Sequence, residues 1–451
     1  MAAGTVVSRI TGFGRVAALA AAFGFTRLTD AYNLANTTPN ILYELVLGGV
    51  LGGTLVTVFA RHLSADSEEG REAVSAITSV VVVGLIVLSA VLALGAPLII
   101  GLYGRGAAFP PDQQAVAVAL LRWFSPQVLI LGVIALSASL LQARRRFGAP
   151  MWAPVAANLL LIVVVLAVPL LYGSGVGLGE AKSNQAIVAL LGAGTTLAFA
   201  VQAAILLFRL RGAGVWGGWV WQPRHPAVRA VLRLSGWLIG LTVANQVALW
   251  VVLTLAGRTA GGVSAFQAAQ LFFQVPHAVI TVSVASAVLP VLAELWADGR
   301  KREFAEKTSW ALRSSALLVI PGAIGLFVLA RPIVSIALER GALSGVGVEL
   351  TADILRFLAL GIPGFSLFLL LIRCCFAMVD TRAAFWLYVL QNSLAVVVAV
   401  GTFPSLGVRA LGLAYAVSYS LAAVVAAVFV SRRTGRLVIF ASRASTGRVA
   451  E

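Results

Sequence analysis

Charged residues are scarce in this chain. Asp, Glu, Lys and Arg together make up 11% of its 451 residues, whereas a soluble domain carries about 25%. Hydrophobic residues make up 60%, and the mean hydropathy is +0.97. A water-soluble protein of this length could not bury so much apolar surface, because surface area grows more slowly than mass. The composition therefore excludes an ordinary soluble protein and indicates a membrane protein.

Cysteine and histidine are also rare, at two and three residues. Cys374 and Cys375 are adjacent, which is poor geometry for a disulfide between them and gives no metal-ligand spacing. The sequence contains no GxSxG, HExxH or GxxxxGK[ST] motif. The acidic pair Glu68-Glu69 has no His or Cys cluster nearby. The sequence thus predicts no enzymatic activity, no metal site and no cofactor.

Long apolar segments are what the chain has instead. Ala73–Leu102 alone exceeds the roughly 20 residues that a helix needs to cross the hydrocarbon of a bilayer. Backbone polar groups in lipid must be hydrogen-bonded within the structure, and the alternation of a barrel strand is absent, so the spans are predicted to be helices. We predict twelve of them, at residues 3–25, 31–62, 73–103, 114–143, 150–172, 184–209, 230–256, 263–294, 306–330, 350–378, 381–403 and 408–431.

The positive charge follows the connections between these helices. The net charge is +16, but the basic residues do not gather in one patch, which speaks against a nucleic-acid partner. Most follow the even-numbered helices or lie in the tail: Arg61, Arg71, Arg144, Arg145, Arg146, Arg209, Arg211, Arg224, Arg229, Arg300, Lys301, Arg302, Lys307, Arg382, Arg432, Arg433, Arg436, Arg443 and Arg448. By the positive-inside rule, both termini are predicted to be cytoplasmic. The first apolar stretch contains Arg9 and Arg15, so we predict no cleavable signal peptide.

The two halves of the chain look like repeats. Asn158 lies eight residues after Pro150, and Asn392 lies eight residues after Ala384. Many transporters contain internal repeats of this kind, although short coincidences also arise in any long membrane protein. We predict an N-terminal lobe at 1–211, a cytoplasmic linker at 212–229, a C-terminal lobe at 230–432 and a basic cytoplasmic tail at 433–451.

Polar side chains recur at helical spacing inside two predicted spans. They are Asn33, Asn36, Asn40 and Glu44 on predicted helix 2, and Gln267, Gln270, Gln274 and His277 on predicted helix 8. Ionisable groups are costly in a membrane and usually face a cavity or a partner. Two such stripes favour a solvated cavity for a polar head group, in which Arg9 and Arg15 would bind an anion because guanidinium binds phosphate oxygens in a fork. The alternative is that the polar groups only hydrogen-bond helices to one another.

Two acidic residues keep more than one interpretation. Asp30 could cap the start of predicted helix 2 or belong to the cavity, and the two roles are compatible. Glu44 could pair with Arg15 or Arg9, or bind a coupling cation or proton. The glycines at 48, 49, 52 and 53 give GxxxG spacings that are typical of close helix packing.

A run of residues near the N-terminus resembles a known family. Ser8-Arg9-Ile-Thr-Gly12-Phe13-Gly-Arg15, Phe23-Gly24, Thr29-Asp30-Ala31 and Pro39-Asn40 resemble the first two helices of the MurJ/MviN lipid II flippases. Phe147-Gly-Ala-Pro150, Gln274-Val-Pro276, Leu289-Pro290, Arg340-Gly341 and Asp380-Thr-Arg382 are similar to later landmarks of that family in the same order. The likeness spans nearly the whole chain, and outside the N-terminal block it is shared with the wider MOP superfamily.

The resemblance implies an all-α membrane protein of two six-helix lobes around a V-shaped central cavity. It implies a substrate of undecaprenyl-pyrophosphate-linked disaccharide-pentapeptide, moved from the inner to the outer leaflet of the bacterial plasma membrane. By position, Arg9, Arg15 and Asp30 correspond to charged cavity or gate residues of the family. Two family arginines are missing here, one where this chain has Tyr43 and Glu44 and one at Leu271. Some relatives carry two further C-terminal helices, and helix 1 begins several residues short, so truncation at either end is one expectation.

We therefore expect a flippase for a lipid-linked oligosaccharide, with lipid II as the expected cargo, that works by alternating access. Membrane lipids and other proteins of cell-wall synthesis are the expected partners, and a proton, Na⁺ or the membrane potential is the expected energy source. Two alternatives stay open. One is an exporter of the same superfamily for another polyprenyl-linked polysaccharide or for a cationic drug recognised by Glu44. The other is a non-transporting scaffold of cell-wall synthesis.

Overall fold

The computed structural model describes residues 2–45, 59–60, 68–104, 109–211, 218–343, 345–435 and 437. In these segments the chain forms helices and short connections, without a strand. The helices are α1 (Ala2–Phe23), α2 (Arg27–Tyr43), α3 (Glu68–Tyr103), α4 (Pro111–Phe124), α5 (Gln127–Ala143), α6 (Gly148–Tyr172), α7 (Leu178–Ser183), α8 (Gln185–Arg211), α9 (Pro226–Ala256), α10 (Gly262–Ala297), α11 (Lys301–Val328), α12 (Ala330–Leu338), α13 (Gly345–Ala377), α14 (Thr381–Leu406) and α15 (Arg409–Thr434).

Ten of these helices are long and apolar enough to cross a membrane, and the described chain contains up to eleven such spans if the bent pair α4 and α5 counts as one. This confirms the predicted all-α membrane fold. Predicted helix 2 continues beyond α2 into residues 46–58, which lie outside the described part, so the number twelve stays a prediction. Two short helices, α7 and α12, were not predicted from the sequence.

The predicted continuous helix at 114–143 is wrong, because the structure breaks it between α4 and α5 with a bend of 41°. Pro126 lies at the break, directly before α5. A proline has no backbone N–H to donate and its ring clashes with the preceding turn, so a helix kinks or ends there. The carbonyl of Arg122, four residues before Pro126, thus lacks its usual backbone donor. The Ser125 hydroxyl replaces that donor, since it donates to this carbonyl at 2.8 Å.

The turns after α5 and α13 have the same backbone hydrogen bonds. After α5, the amide of Arg146 donates to the carbonyl of Leu141 at 2.8 Å, and Arg145 is left-handed with φ 57°. After α13, the amide of Asp380 donates to Cys375 at 2.9 Å, and Val379 is left-handed with φ 58°. This is the Schellman ending of a helix, formed here without glycine. The offset from Arg145 to Val379 is also the offset from Asn158 to Asn392, so the turns support the predicted internal repeat.

Contacts along the chain group it into two compact units. The first contains Met1–Ala268 and Val334–Thr351, and the second contains Ala269–Ile333 and Ala352–Glu451. The first unit therefore includes α9 and the first turns of α10, which do not follow the predicted boundary at 212–229. The predicted lobes and their limits stay a prediction.

A close approach of two glycines fixes the end of α1 within the first unit. The amide of Ala342 donates to the carbonyl of Ala21 at 2.8 Å. Gly24 and Gly341 both have φ of 64°, and a Cβ added to them would lie 2.7 Å from the Ala342 carbonyl oxygen and 2.3 Å from that of Ala21. Only glycine gives both the left-handed conformation and the space for this contact.

The second unit has an aromatic core. Phe304 and Phe368 are fully buried, and the ring of Phe368 packs edge-on against Tyr388 at 5.3 Å between centroids. Cys374 and Cys375 lie in the same cluster as buried free thiols. The two cysteines therefore pack in the core of the second unit.

Candidate functional site

Asp30 is fully buried in the first turn of α2, but it does not cap that helix. Thr26 occupies the N-cap position, and its amide donates to the hydroxyl of Thr29 at 2.7 Å. The Asp30 carboxylate instead accepts two hydrogen bonds from Ser264, from the amide at 2.9 Å and from the hydroxyl at 2.8 Å. Because Ser264 lies in the first turn of α10, Asp30 satisfies the free backbone donors of another helix. Of the two roles that the sequence left open for Asp30, the structure excludes the cap of its own helix.

The predicted polar stripes of α2 and α10 meet through side-chain hydrogen bonds. The Asn33 side-chain amide donates to the Ser264 hydroxyl at 3.0 Å. One turn further, the amide of Gln267 donates to the Thr37 hydroxyl at 2.9 Å. The Thr37 hydroxyl donates in turn to the Asn33 carbonyl at 2.7 Å. We call these five residues, Asp30, Asn33, Thr37, Ser264 and Gln267, the α2–α10 polar row.

Two members of this row, Thr37 and Ser264, were missed from the sequence. Both lie on the predicted stripes, since Ser264 is three residues before Gln267 and Thr37 is four residues after Asn33. Such spacings place side chains on the same helix face. Admitting hydroxyl side chains within the α2 stripe and extending the α10 stripe by one turn would have found them.

The far end of α2 contacts a third helix, α9. Glu44 accepts a hydrogen bond from the side-chain amide of Gln246, which is buried. The described residues give Glu44 no ion pair with Arg9 or Arg15, two of the partners that the sequence left open. Gln246 was not predicted, although the adjacent polar residues Asn245 and Gln246 in an otherwise apolar helix were a signal.

The middle of the α2 stripe is polar and only partly satisfied. The side-chain amide of Asn40 donates to the carbonyl of Asn36 at 2.8 Å. The side-chain oxygen of Asn36 is buried and finds no hydrogen-bond partner in the part of the chain that is described. A buried acceptor without a partner is uncommon and marks a position where water or a ligand could donate.

Arg9 and Arg15 lie on the same helix but do not share a face. Six residues separate them, which turns the second side chain by about 120° around the helix axis relative to the first. Arg9 is exposed, whereas Arg15 is partly buried and close enough to Tyr32 for an electrostatic interaction. Neither guanidinium has a hydrogen bond or ion pair with a described residue. A joint clamp of both arginines on one anion would therefore need them to converge from different faces.

The neighbouring faces of α1 are occupied by α6. The side-chain amide of Asn158 on α6 donates to the Thr11 hydroxyl at 3.2 Å and to the Ser8 carbonyl at 3.3 Å. A Cβ added to Gly12 would lie 3.6 Å from the same amide. This face of α1 thus serves as a helix contact, which is the role of small residues in membrane bundles.

The remaining residues of the α10 stripe, Gln270, Gln274 and His277, lie in the second unit and have different surroundings from one another. Gln270 lies close to the Tyr415 hydroxyl, whereas Gln274 is exposed. His277 lies 3.3 Å from the Ser366 hydroxyl, measured from Nδ1, and its ring centroid is 4.6 Å from that of Phe365. The structure thus brings Gln267 to α2 but does not place all four predicted residues together.

Comparison with known proteins identifies the family. A family model described as lipid II flippase MurJ matches residues 19–447, nearly the whole chain. The chain belongs to the lipid II flippase MurJ family. This confirms the resemblance found in the sequence.

Similar MurJ proteins cover most of the chain. A probable lipid II flippase MurJ of Rhizobium meliloti (strain 1021) is 29% identical over 404 residues, which is 89% of this chain and 74% of the relative. The lipid II flippase MurJ of Burkholderia cenocepacia is 27% identical over 390 residues, covering 84% of this chain and 72% of the relative. Membership of this family confirms the prediction of a transporter rather than an enzyme.

Solved structures of MurJ and its superfamily share the fold. A lipid II flippase MurJ in an inward closed conformation matches with a TM-score of 0.78 and 22% identity, covering 97% of this chain and 88% of that chain. An inward-facing multidrug resistance MATE family transporter of the MOP superfamily matches with a TM-score of 0.74 and 14% identity, covering 94% of each chain. At these identities the matches support the fold.

Proposed function

We propose that this chain flips lipid II from the inner to the outer leaflet of the bacterial plasma membrane by alternating access. The observation that carries the proposal is the MurJ family match over residues 19–447. The described helices support it, since they provide ten candidate membrane spans, or up to eleven if the bent pair α4 and α5 counts as one. Both termini are proposed to be cytoplasmic, because most of the positive charge follows even-numbered predicted helices.

We propose that the hydrogen bonds of the α2–α10 polar row form in one conformation of the transport cycle and break in another. Asp30 holds the N-terminus of α10 through two hydrogen bonds to Ser264. Asn33 and Thr37 extend the contact along α2. Hydrogen bonds suit a reversible contact, because each contributes only about 1 kcal/mol net and water can replace it. Alternating access requires such a contact to be stable in one state and broken in the other.

We propose that arginine side chains bind the pyrophosphate of the substrate and that side-chain amides bind its sugars and peptide. Arg15, with Arg9 as a second contact, would hold the pyrophosphate, since the family arginines near Tyr43 and at Leu271 are absent. Asn36, Asn40, Gln270 and Gln274 would solvate the sugars and peptide. The polyprenyl tail would stay in the lipid, where it is already stable. No cofactor is needed for this movement, and a proton, Na⁺ or the membrane potential would drive it.

The test uses cells that depend on this chain after depletion of their own flippase. Lipid II at the outer leaflet is measured with a membrane-impermeant enzyme that cleaves its pyrophosphate linkage. We expect cleavage with the parent chain and at least a tenfold lower initial rate with Asp30→Asn, which corresponds to about 1.4 kcal/mol of lost contact energy. Asp112→Asn is the matched control, because this carboxylate is 54% exposed in a surface pair with Lys182. Unchanged cleavage and normal growth without the chain would refute the proposal.

The fold likeness to the MATE family transporter favours one second candidate, an exporter of cationic drugs. Glu44 would then recognise the cation. The same cells separate the two, because an exporter would give drug resistance that Glu44→Gln removes while lipid II cleavage stays at the depleted level.

A further inference from the structure

A cavity in the first unit lies away from the α2–α10 polar row. It has a volume of about 570 Å³ and lies where the end of α5, the start of α6 and the end of α8 meet. Its lining residues are Leu141, Arg146, Gly148, Ala149, Trp152, Ala153, Ile205 and Arg209. The cavity therefore combines two guanidinium groups and an indole with an apolar wall.

The backbone fixes the position of Arg146. The turn after α5 is closed by hydrogen bonds from the amide of Arg146 to the carbonyl of Leu141 and from Arg145 to Gln142, at 2.8 and 2.9 Å. Arg145 takes the left-handed conformation that this turn requires. The turn therefore fixes the backbone position of Arg146, the last of the three consecutive arginines, beside the cavity.

The other walls combine charge with apolar surface. Arg209 is exposed at the end of α8, and its neighbour Phe208 is 73% exposed. Trp152 is 52% exposed, and its indole lies against α1, since a Cβ added to Gly4 would be 3.1 Å from Nε1. Leu141 and Ala153 are buried. Tryptophan and arginine near helix ends, next to exposed apolar residues, are typical of the lipid headgroup level of a membrane protein.

We propose that this cavity binds the phosphate of an anionic glycerophospholipid. Guanidinium groups bind phosphate oxygens in a fork, and basic pockets between membrane helices bind lipid head groups. The acyl chains would lie along exposed apolar residues such as Phe208. A volume of about 570 Å³ suits a glycerol phosphate head group, whereas a disaccharide-pentapeptide is too large for it. The cavity is lined by none of the five residues of the α2–α10 polar row, and the proposed lipid site does not depend on the proposed transport.

Native mass spectrometry of the full chain in detergent tests the proposal, with phosphatidylglycerol and phosphatidylcholine of the same acyl chains as probes. We expect tighter binding of phosphatidylglycerol. Each arginine at a membrane surface is worth about 1 kcal/mol toward an anionic lipid, so Arg146→Gln and Arg209→Gln should each weaken binding about fivefold and the double variant about 30-fold.

A second variant blocks the cavity without removing charge. A Cβ added to Gly148 meets no heavy atom within 4 Å, so Gly148→Phe should fold and fill the cavity. We expect it to weaken phosphatidylglycerol binding as strongly as the double arginine variant. Gly84→Phe is its control, since Gly84 is equally open on α3. Arg302→Gln is the control for charge, because that side chain is 93% exposed.

Four outcomes would overturn the proposal. These are binding by the double arginine variant within threefold of the parent, an equal loss in Arg302→Gln, competition by millimolar inorganic phosphate, and tighter binding of undecaprenyl pyrophosphate than of phosphatidylglycerol at the same arginines. The third would indicate a site for a soluble anion, and the fourth a site for the transported lipid. Thermal unfolding of each variant confirms that it is folded.

Discussion

Ser264 is the residue whose replacement tests the α2–α10 polar row most directly. Its hydroxyl donates to the Asp30 carboxylate at 2.8 Å and accepts from the Asn33 amide at 3.0 Å. Ser264→Ala removes both bonds while keeping the backbone amide that also donates to Asp30. A net hydrogen bond contributes about 1 kcal/mol, and a buried group left unpaired costs about 1–3 kcal/mol. We therefore expect the free energy of unfolding to fall by about 2–4 kcal/mol.

The measurement is reversible unfolding in mixed detergent, with a double-mutant cycle that adds Asp30→Asn. If the pair interacts as the structure shows, the two changes should be non-additive by about 1–2 kcal/mol. Ser315→Ala is the control, because the buried Ser315 hydroxyl has no partner among the described residues, and we expect a change below about 0.5 kcal/mol. A loss for Ser264→Ala no larger than that of Ser315→Ala, or full additivity with Asp30→Asn, would refute the row as a stabilising contact.

Three further predictions address backbone and charge. Arg145→Gly and Val379→Gly should each raise the free energy of unfolding by about 1 kcal/mol, since both residues are left-handed without being glycine; a loss of stability in either would contradict the Schellman geometry. Gly341→Ala should lower the free energy of unfolding by more than about 2 kcal/mol, because its Cβ would lie 2.3 Å from the Ala21 carbonyl oxygen. Gly345→Ala is the control and should not lower it, because a Cβ at Gly345 meets no heavy atom within 4 Å. Arg15→Ala should reduce lipid II cleavage at the outer leaflet to the depleted level while Arg302→Ala leaves it unchanged, and equal cleavage in both would remove Arg15 from the proposed substrate site.

The helices could be predicted because apolar runs of about 20 residues leave the chain few alternatives in a membrane. The break at Pro126 could not, because a proline inside an apolar run either kinks the helix or divides it, as Pro39 and Pro276 remain inside α2 and α10. The short helices α7 and α12 are too brief to give a periodic signal.

The site was predictable in part, for a geometric reason. Helical spacing gives the face of each helix, so the α2 and α10 stripes were found, but spacing does not say which faces meet. Asp30 therefore looked like a cap for α2, although the structure joins it to Ser264. The same spacing, applied to Arg9 and Arg15, would have shown that their side chains leave α1 in different directions.

The left-handed turns after α5 and α13 bear on how this chain can diverge. The backbone at Arg145 and Val379 imposes the same conformation on residues with nothing chemical in common. At these two positions the backbone dihedral angles constrain which residues are accepted, whereas the chemical nature of the side chain matters little. The amino acids can therefore change during evolution while the turn is kept. An alignment of the two halves that starts from these turns will match equivalent positions even where the residues are no longer identical.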